Sequence, residues 1–214
     1  MTNVFQTPEK LHLKRRLFEI GLATLRTQGW KVERIPAAGK ASMRLITKAG
    51  KSHKVAIRTT QDQWLAFPRR MDDKGWLTLS EVDVVLAVSV DDAQHPTAAL
   101  VHWIEGDDMR ARFDRAYKAR RKARYRVPLG RGVWLPLYIR DDQNIVRYVG
   151  GGAGLDHPEI ARVPIDGESP TEGGTNEPLH SDGEDKSLNI AEAKRRLALS
   201  LGVAESSIKI SVEA

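Results

Sequence analysis

A chain of 214 residues, 41% hydrophobic and 29% charged, is long enough for one well-packed domain with a small appendage and too short for two large domains. The absence of cysteine excludes disulfides, thiol nucleophiles and cysteine-based zinc sites, and the six histidines (His12, His53, His95, His102, His157 and His180) form no HxxxH or HExxH pair. The formal charge of +6 is unevenly spread: residues 1–149 carry 28 Lys+Arg against 16 Asp+Glu, residues 150–187 carry 2 against 9, and residues 188–214 carry 4 against 3, giving a basic body of +12, an acidic strap of −7 and a tail of +1.

No apolar run approaches the roughly 20 residues that cross a bilayer, and MTNVFQTPEK lacks the basic and apolar regions of a signal peptide, so a soluble cytoplasmic protein is expected. Thr7 and Pro8 read as N-cap and first helical residue and Gly29 as a stop, with Leu11, Leu13, Leu17, Phe18, Ile20, Leu22 and Leu25 between them: a helix over residues 8–28. "WKVERI" reads as a strand, and "SMRLIT" and "HKVAIRTT" as a hairpin turning at Lys48, Ala49, Gly50 and Lys51. The nearly continuous apolar runs "VDVVLAVSVDD" and "AALVHWIEG" read as strands buried on both faces. A second helix, "DDMRARFDRAYKARRKARYR", opens on Asp107 and Asp108 at the positive end of its dipole. The fold class is therefore α/β, a mixed central sheet of about five strands flanked by helices.

This order, a helix, a strand and a hairpin whose third strand ends in a basic residue and Thr59-Thr60, followed by a buried apolar strand, resembles the core of the restriction-endonuclease-like PD-(D/E)xK superfamily, especially its Holliday-junction-resolvase-like branch, over residues 8–125. The resemblance implies an Asp near the start of the second strand and a Glu-x-Lys on the third, holding a divalent metal that positions the attacking water. Here Ala56-Ile57-Arg58 stands at the Glu-x-Lys, and the Asp position falls near Ser42. Arginine keeps the charge but not the proton exchange of a lysine. The matched positions Ser42, Ala56 and Arg58 thus carry no metal-binding carboxylate; Glu19, Glu33 and Asp62 are the nearest acids in sequence that a relocated site would use.

The residues themselves point to phosphates and bases. Arg58, Gln61, Gln63, Trp64, Arg69 and Arg70 place donors and an aromatic ring at one end of the sheet. On the second helix Met109, Phe113, Ala116, Tyr117 and Ala123 form an apolar stripe, leaving Arg110, Arg112, Arg115, Lys118, Arg121, Lys122 and Arg124 to surround it, with Asp114 the single acid among nine cations between 109 and 126. Such a density of like charge calls for a polyanion. "GRGVWLPLY" matches neither a Walker loop nor a dinucleotide fingerprint and reads as a turn into a final strand; "GGGAG" at 150–154 reads as a hinge.

The domain boundaries follow composition: a nuclease-like core at 1–149, an acidic flexible linker at 150–187 and a small helix-strand tail at 188–214. In the tail Asn189 and Glu192 form a capping pair, Gly202 ends the helix, and Ile208, Ile210 and Val212 alternate on a strand; a unit this short must dock on its own body, a second copy or another protein. The leading expectation is a cytoplasmic, DNA-binding pseudo-nuclease without cofactor or membrane contact. Two rivals stand beside it: an active Mg²⁺-dependent nuclease with a relocated carboxylate, and a protein-binding adaptor or immunity-type protein.

A segment of −7 tethered to a body of +12 competes with nucleic acid for the same arginines. A chain shortened to end near Val149 is expected to bind DNA more tightly than the full chain at low salt in polarisation titrations, the difference shrinking as the screening length falls to about 8 Å. Equal affinity at low salt would leave the strap an inert spacer.

Overall fold

The computed structural model describes residues 7–35 and 42–166; the expected linker beyond residue 166 and the whole tail at 188–214 lie outside the described residues. The first helix, α1 (Pro8–Thr27), begins where expected: Thr7 Oγ1 accepts the amide proton of Lys10, and Pro8 occupies the first turn, where an amide would be unsatisfied anyway. It ends in a Schellman closure, with Trp30 N donating to Leu25 O and Gly29 N to Arg26 O, a geometry that puts Gly29 in the left-handed region at φ 83°.

The strands are β1 (Lys31–Arg34), β2 (Met43–Lys48), β3 (Lys51–Thr60), β4 (Trp64–Pro68), β5 (Val84–Val90), β6 (Ala98–Glu105), β7 (Gly132–Pro136) and β8 (Glu159–Pro164); α2 (Gly106–Lys122) and the single turn α3 (Ala153–Asp156) complete the set with short 3₁₀ turns at Leu79–Glu81 and Val146–Tyr148. The main sheet runs β1-β2-β3-β5-β6-β8, antiparallel throughout except for the parallel β3–β5 pair. The chain is an α/β protein with a mixed six-stranded sheet. Every residue of β5 is buried, as a strand covered on both faces requires.

Alternation along the strands sorts the core into two layers. On one face α1 lays Leu17, Phe18, Ile20 and Leu25 against Val55, Ile57, Leu86, Val88 and Val101. Gly21 permits that approach: a Cβ there would stand 3.0 Å from Val88 Cγ2 and 3.2 Å from Ile57 Cγ2. On the other face Met109, Phe113, Ala116 and Tyr117 of α2 pack with Ala56, Phe67, Trp76, Val85 and Ile104. β4 and β7 pair only with each other, in a small antiparallel ribbon that closes this second layer with Leu65, Phe67, Val133 and Leu135.

Two expectations fail after residue 149. The segment 150–164 is not a linker, because β8 pairs with β6 as the sixth strand of the sheet. Its sequence, EIARVP, is only half buried in an edge position and so carries a weak apolar signal. The glycines at 150–154 form no hinge: Gly150, Gly151, Gly152 and Gly154 are buried, and at Gly150 (φ 85°) an added Cβ would collide with the carbonyl oxygen of Arg112. Their lack of side chains admits close packing rather than motion. A shortened chain that keeps the body whole must therefore end after Asp166 instead of near Val149.

Phe113, fully buried, meets the rings of Phe67 and Trp76 edge-on, each with centroids 5.2 Å away. Phe113→Ala is expected to lower unfolding free energy by about 3–5 kcal/mol in urea titrations, whereas Tyr125→Ala, at a 60% exposed side chain, changes it by less than about 0.5 kcal/mol.

Candidate nucleic-acid interface

The positions that the nuclease resemblance singles out do come together on the β2–β3 hairpin. Met43 pairs with Ala56, and Ile57 N donates to Ser42 O at 2.9 Å. Their surroundings are not those of a metal site. Ala56 is wholly buried among Met43, Phe67, Val85 and Ile104, and the guanidinium of Arg58 lies over the Phe67 ring, 4.5 Å from its centroid. A carboxylate at 56 would sit in an apolar wall.

The three alternative acids are scattered. Glu19 is on α1, which covers the opposite face of the sheet from Ala56. Glu33 is exposed on edge strand β1 in an ion pair of 2.9 Å with Lys31. Asp62 shapes the β3–β4 turn, accepting from the Thr60 hydroxyl at 2.8 Å and the Trp64 amide at 3.1 Å. Among the described residues no group of three or more His, Asp or Glu stands close enough to hold a metal ion.

Around the turn, polar groups expected to face a ligand are engaged within the fold. Gln61 Nε2 donates to Lys10 O at 2.7 Å, and Gln63 Nε2 to Asp91 O at 2.9 Å. Arg69 packs against both Trp76 and Tyr117, its guanidinium 5.0 and 4.5 Å from their centroids, while its Nε donates to Asp73 at 2.8 Å. Arg70 pairs with Asp72 at 3.2 Å. Trp64 is half-buried on the ribbon.

The basic helix divides into two halves. Arg110 donates to the carbonyls of Leu79 and Val82 and pairs with Asp107 at 2.7 Å. Arg112 is buried, and all three of its nitrogens find acceptors: Nε meets Asp108 at 2.7 Å, Nη1 meets Gly151 O at 2.9 Å and Nη2 meets Asp156 at 2.6 Å. Burial pushes the Asp108 carboxyl up, but the hydrogen bonds from Arg112 and His157 outweigh it and hold the carboxyl below its usual range. Burial likewise lowers the Arg112 pKa, and its two carboxylates more than restore it. Arg115 pairs with Asp141 at 3.1 Å. Beyond Tyr117 the pattern changes. Lys118, Arg121, Lys122 and Arg124 are exposed, with no carboxylate paired to them among the described residues; Arg121 lies 6.0 Å over the Tyr117 ring. Arg126 and Arg131, outside the expected set, extend the same exposed charge.

Two arrangements escaped the sequence reading. Arg120 turns inward from α2, donating through Nη2 to Trp134 O at 2.7 Å, and burial alone lowers its pKa. Behind β5 and β6 lies a polar chain. His102 Nδ1 faces the His157 carbonyl oxygen at 2.7 Å and so carries the proton; Nε2 accepts from the Tyr138 hydroxyl at 2.8 Å, and Tyr138 in turn accepts from Ser89. Ser89 and His102 are buried, so this chain braces the fold instead of meeting a substrate. Its bonded pairs are separated by up to 55 positions in sequence, a spacing no motif encodes.

No family model, no curated protein and no solved structure matches the chain.

Burial disfavours the charged imidazole of His102 and lowers its pKa below the ordinary 6.5. The unfolded chain then takes up the proton first, so stability is full above pH 6.5 and declines as pH falls through that value. Wild-type protein is expected to lose melting temperature more steeply between pH 7.5 and about 5.5 than His102→Asn, which keeps a donor toward His157 but does not titrate. Parallel slopes would assign the loss to other groups.

Proposed function

We propose that this chain is a cytoplasmic nucleic-acid-binding protein, DNA being its first partner, in which a nuclease-like core without a metal site carries the binding surface. The observation that carries the reading is the C-terminal half of α2 and the segment after it. There Lys118, Arg121, Lys122, Arg124 and Arg126 are exposed with no carboxylate paired to them among the described residues, while the arginines of the first half are bonded into the fold. Cations held apart from carboxylates in this way release counterions from a phosphate backbone without first breaking ion pairs. The last turn of a helix also favours basic side chains, which offsets part of their mutual repulsion in the free protein.

With about five phosphates neutralised, log K falls against log salt with a slope of roughly −4 to −5 on duplex DNA. Replacing Arg121, Lys122 and Arg124 together by Gln is expected to flatten that slope by roughly 3 and to leave the melting temperature unchanged. Mg²⁺ or Mn²⁺ is expected to leave the DNA intact. Binding indifferent to salt overturns the reading, and cleavage abolished by Glu19→Ala, Glu33→Ala or Asp62→Ala would favour the nuclease alternative.

A further inference from the structure

A two-stranded ribbon with one face on the core ordinarily turns polar residues to water. The β4–β7 ribbon does not. Its registers are Trp64 with Pro136, Ala66 with Trp134 and Pro68 with Gly132 on one face, and Leu65 with Leu135 and Phe67 with Val133 on the other. The second set is the core face, and the first contains no polar residue at all. Trp64, Ala66 and Trp134 stay partly exposed, and Tyr148, which ends the 3₁₀ turn against α2, lies 6.3 Å from Trp64 at an interplanar angle of 41°. Core packing accounts for the inner face and leaves three aromatic side chains on the outer one.

The rim of that face is cationic. Arg147 is exposed, its guanidinium 4.7 Å over the Tyr148 ring. Asp62, the acid nearest in sequence to Trp64, is already accepting two hydrogen bonds within its own turn.

We propose that the outer face of the β4–β7 ribbon binds single-stranded nucleic acid, with unpaired bases stacking on Trp64, Trp134 and Tyr148 and the backbone running past Arg147. The inference rests on the nucleic-acid reading above and narrows it. Flat rings accept any base because every base has a π-face, and guanidinium groups without carboxylates suit phosphate. A duplex hides those π-faces in its own stack, so it engages the α2 cations but not the ribbon.

The test uses the full chain with a fluorescent run of about 20 thymidylates and a duplex of the same length. Trp134→Leu and Tyr148→Leu, which remove no charge, are each expected to weaken binding of the single strand by roughly 5- to 100-fold, with duplex affinity changed less than about twofold and the salt slope retained. Wild-type tryptophan emission is expected to be quenched by the single strand and unaffected by the duplex. Should a leucine variant fail to fold, Arg147→Gln, at an exposed side chain, gives the same comparison and is expected to weaken the single strand selectively. Unchanged single-strand affinity in the variants, or equal loss on both ligands, overturns the inference. Duplex binding that depends on Arg121, Lys122 and Arg124 without any single-strand binding overturns it alone, whereas binding to neither ligand overturns the nucleic-acid reading as well.

Discussion

Burying a guanidinium is costly unless its donors find acceptors, and the way Arg112 is satisfied fixes how the segment from Gly150 to β8 lies against α2. Its three nitrogens reach Asp108 on its own helix, the Gly151 carbonyl and Asp156 on α3. Those bonds require the glycine-rich segment to run directly against α2, where Gly150 leaves no room for a Cβ. Once α3 is held there, His157 presents its carbonyl to His102 and its ring to Asp108, and β8 enters the sheet beside β6. Asp108 and Asp156 keep 34% and 46% of their side-chain surface in water, which tempers the strength of each pair but not the geometry they impose.

The same constraint explains how much of the candidate site was legible in the sequence. The apolar stripe of α2 and the excess of cations around it were readable from spacing, and Met109, Phe113, Ala116 and Tyr117 are buried. Which arginines face water was not. Arg112 and Lys122 look alike in a helical pattern; they differ because Asp156 and Gly151, some forty positions downstream, fold back beneath one and not the other. The long central strands and both long helices were legible because a helix cap, acids in a first turn, a turn glycine or an unbroken apolar run marks each of them. β8 was missed for the converse reason: an edge strand needs only one partner and half a buried face, so polar residues dilute its pattern. β4, hidden in a stretch read as a site mouth, is recognisable only through its pairing with β7.

Charge on this protein therefore serves two purposes in physically separate places. In the first half of α2, desolvated guanidinium groups spend their donors on carbonyls and carboxylates and act as ties between segments distant in sequence. In the second half Lys118, Arg121 and Lys122 stay hydrated while Arg120 alone turns inward, beside a ribbon whose exposed side is aromatic. Surface replacements at the hydrated end leave the interior untouched, and this independence lets surface charge change without disturbing the fold.

The isolation of the β4–β7 ribbon also bears on how the chain matures during synthesis. The buried members of the layer under α1 come from residues up to β6, and β8 adds only partly buried ones, so most of this layer can close while later residues are still being made. β4 has no such freedom: its only sheet partner is β7, at 132–136, and α2 lies between them in the chain. Leu65 and Phe67 therefore wait, apolar and unpaired, until the polypeptide has emerged past residue 136, and the second layer is completed by the strand pairing of greatest sequence separation among the described residues. A nascent chain paused between 105 and 132 holds most of one half of its core and one open, adhesive half, which makes that stretch of translation the interval in which a chaperone has a surface to grip.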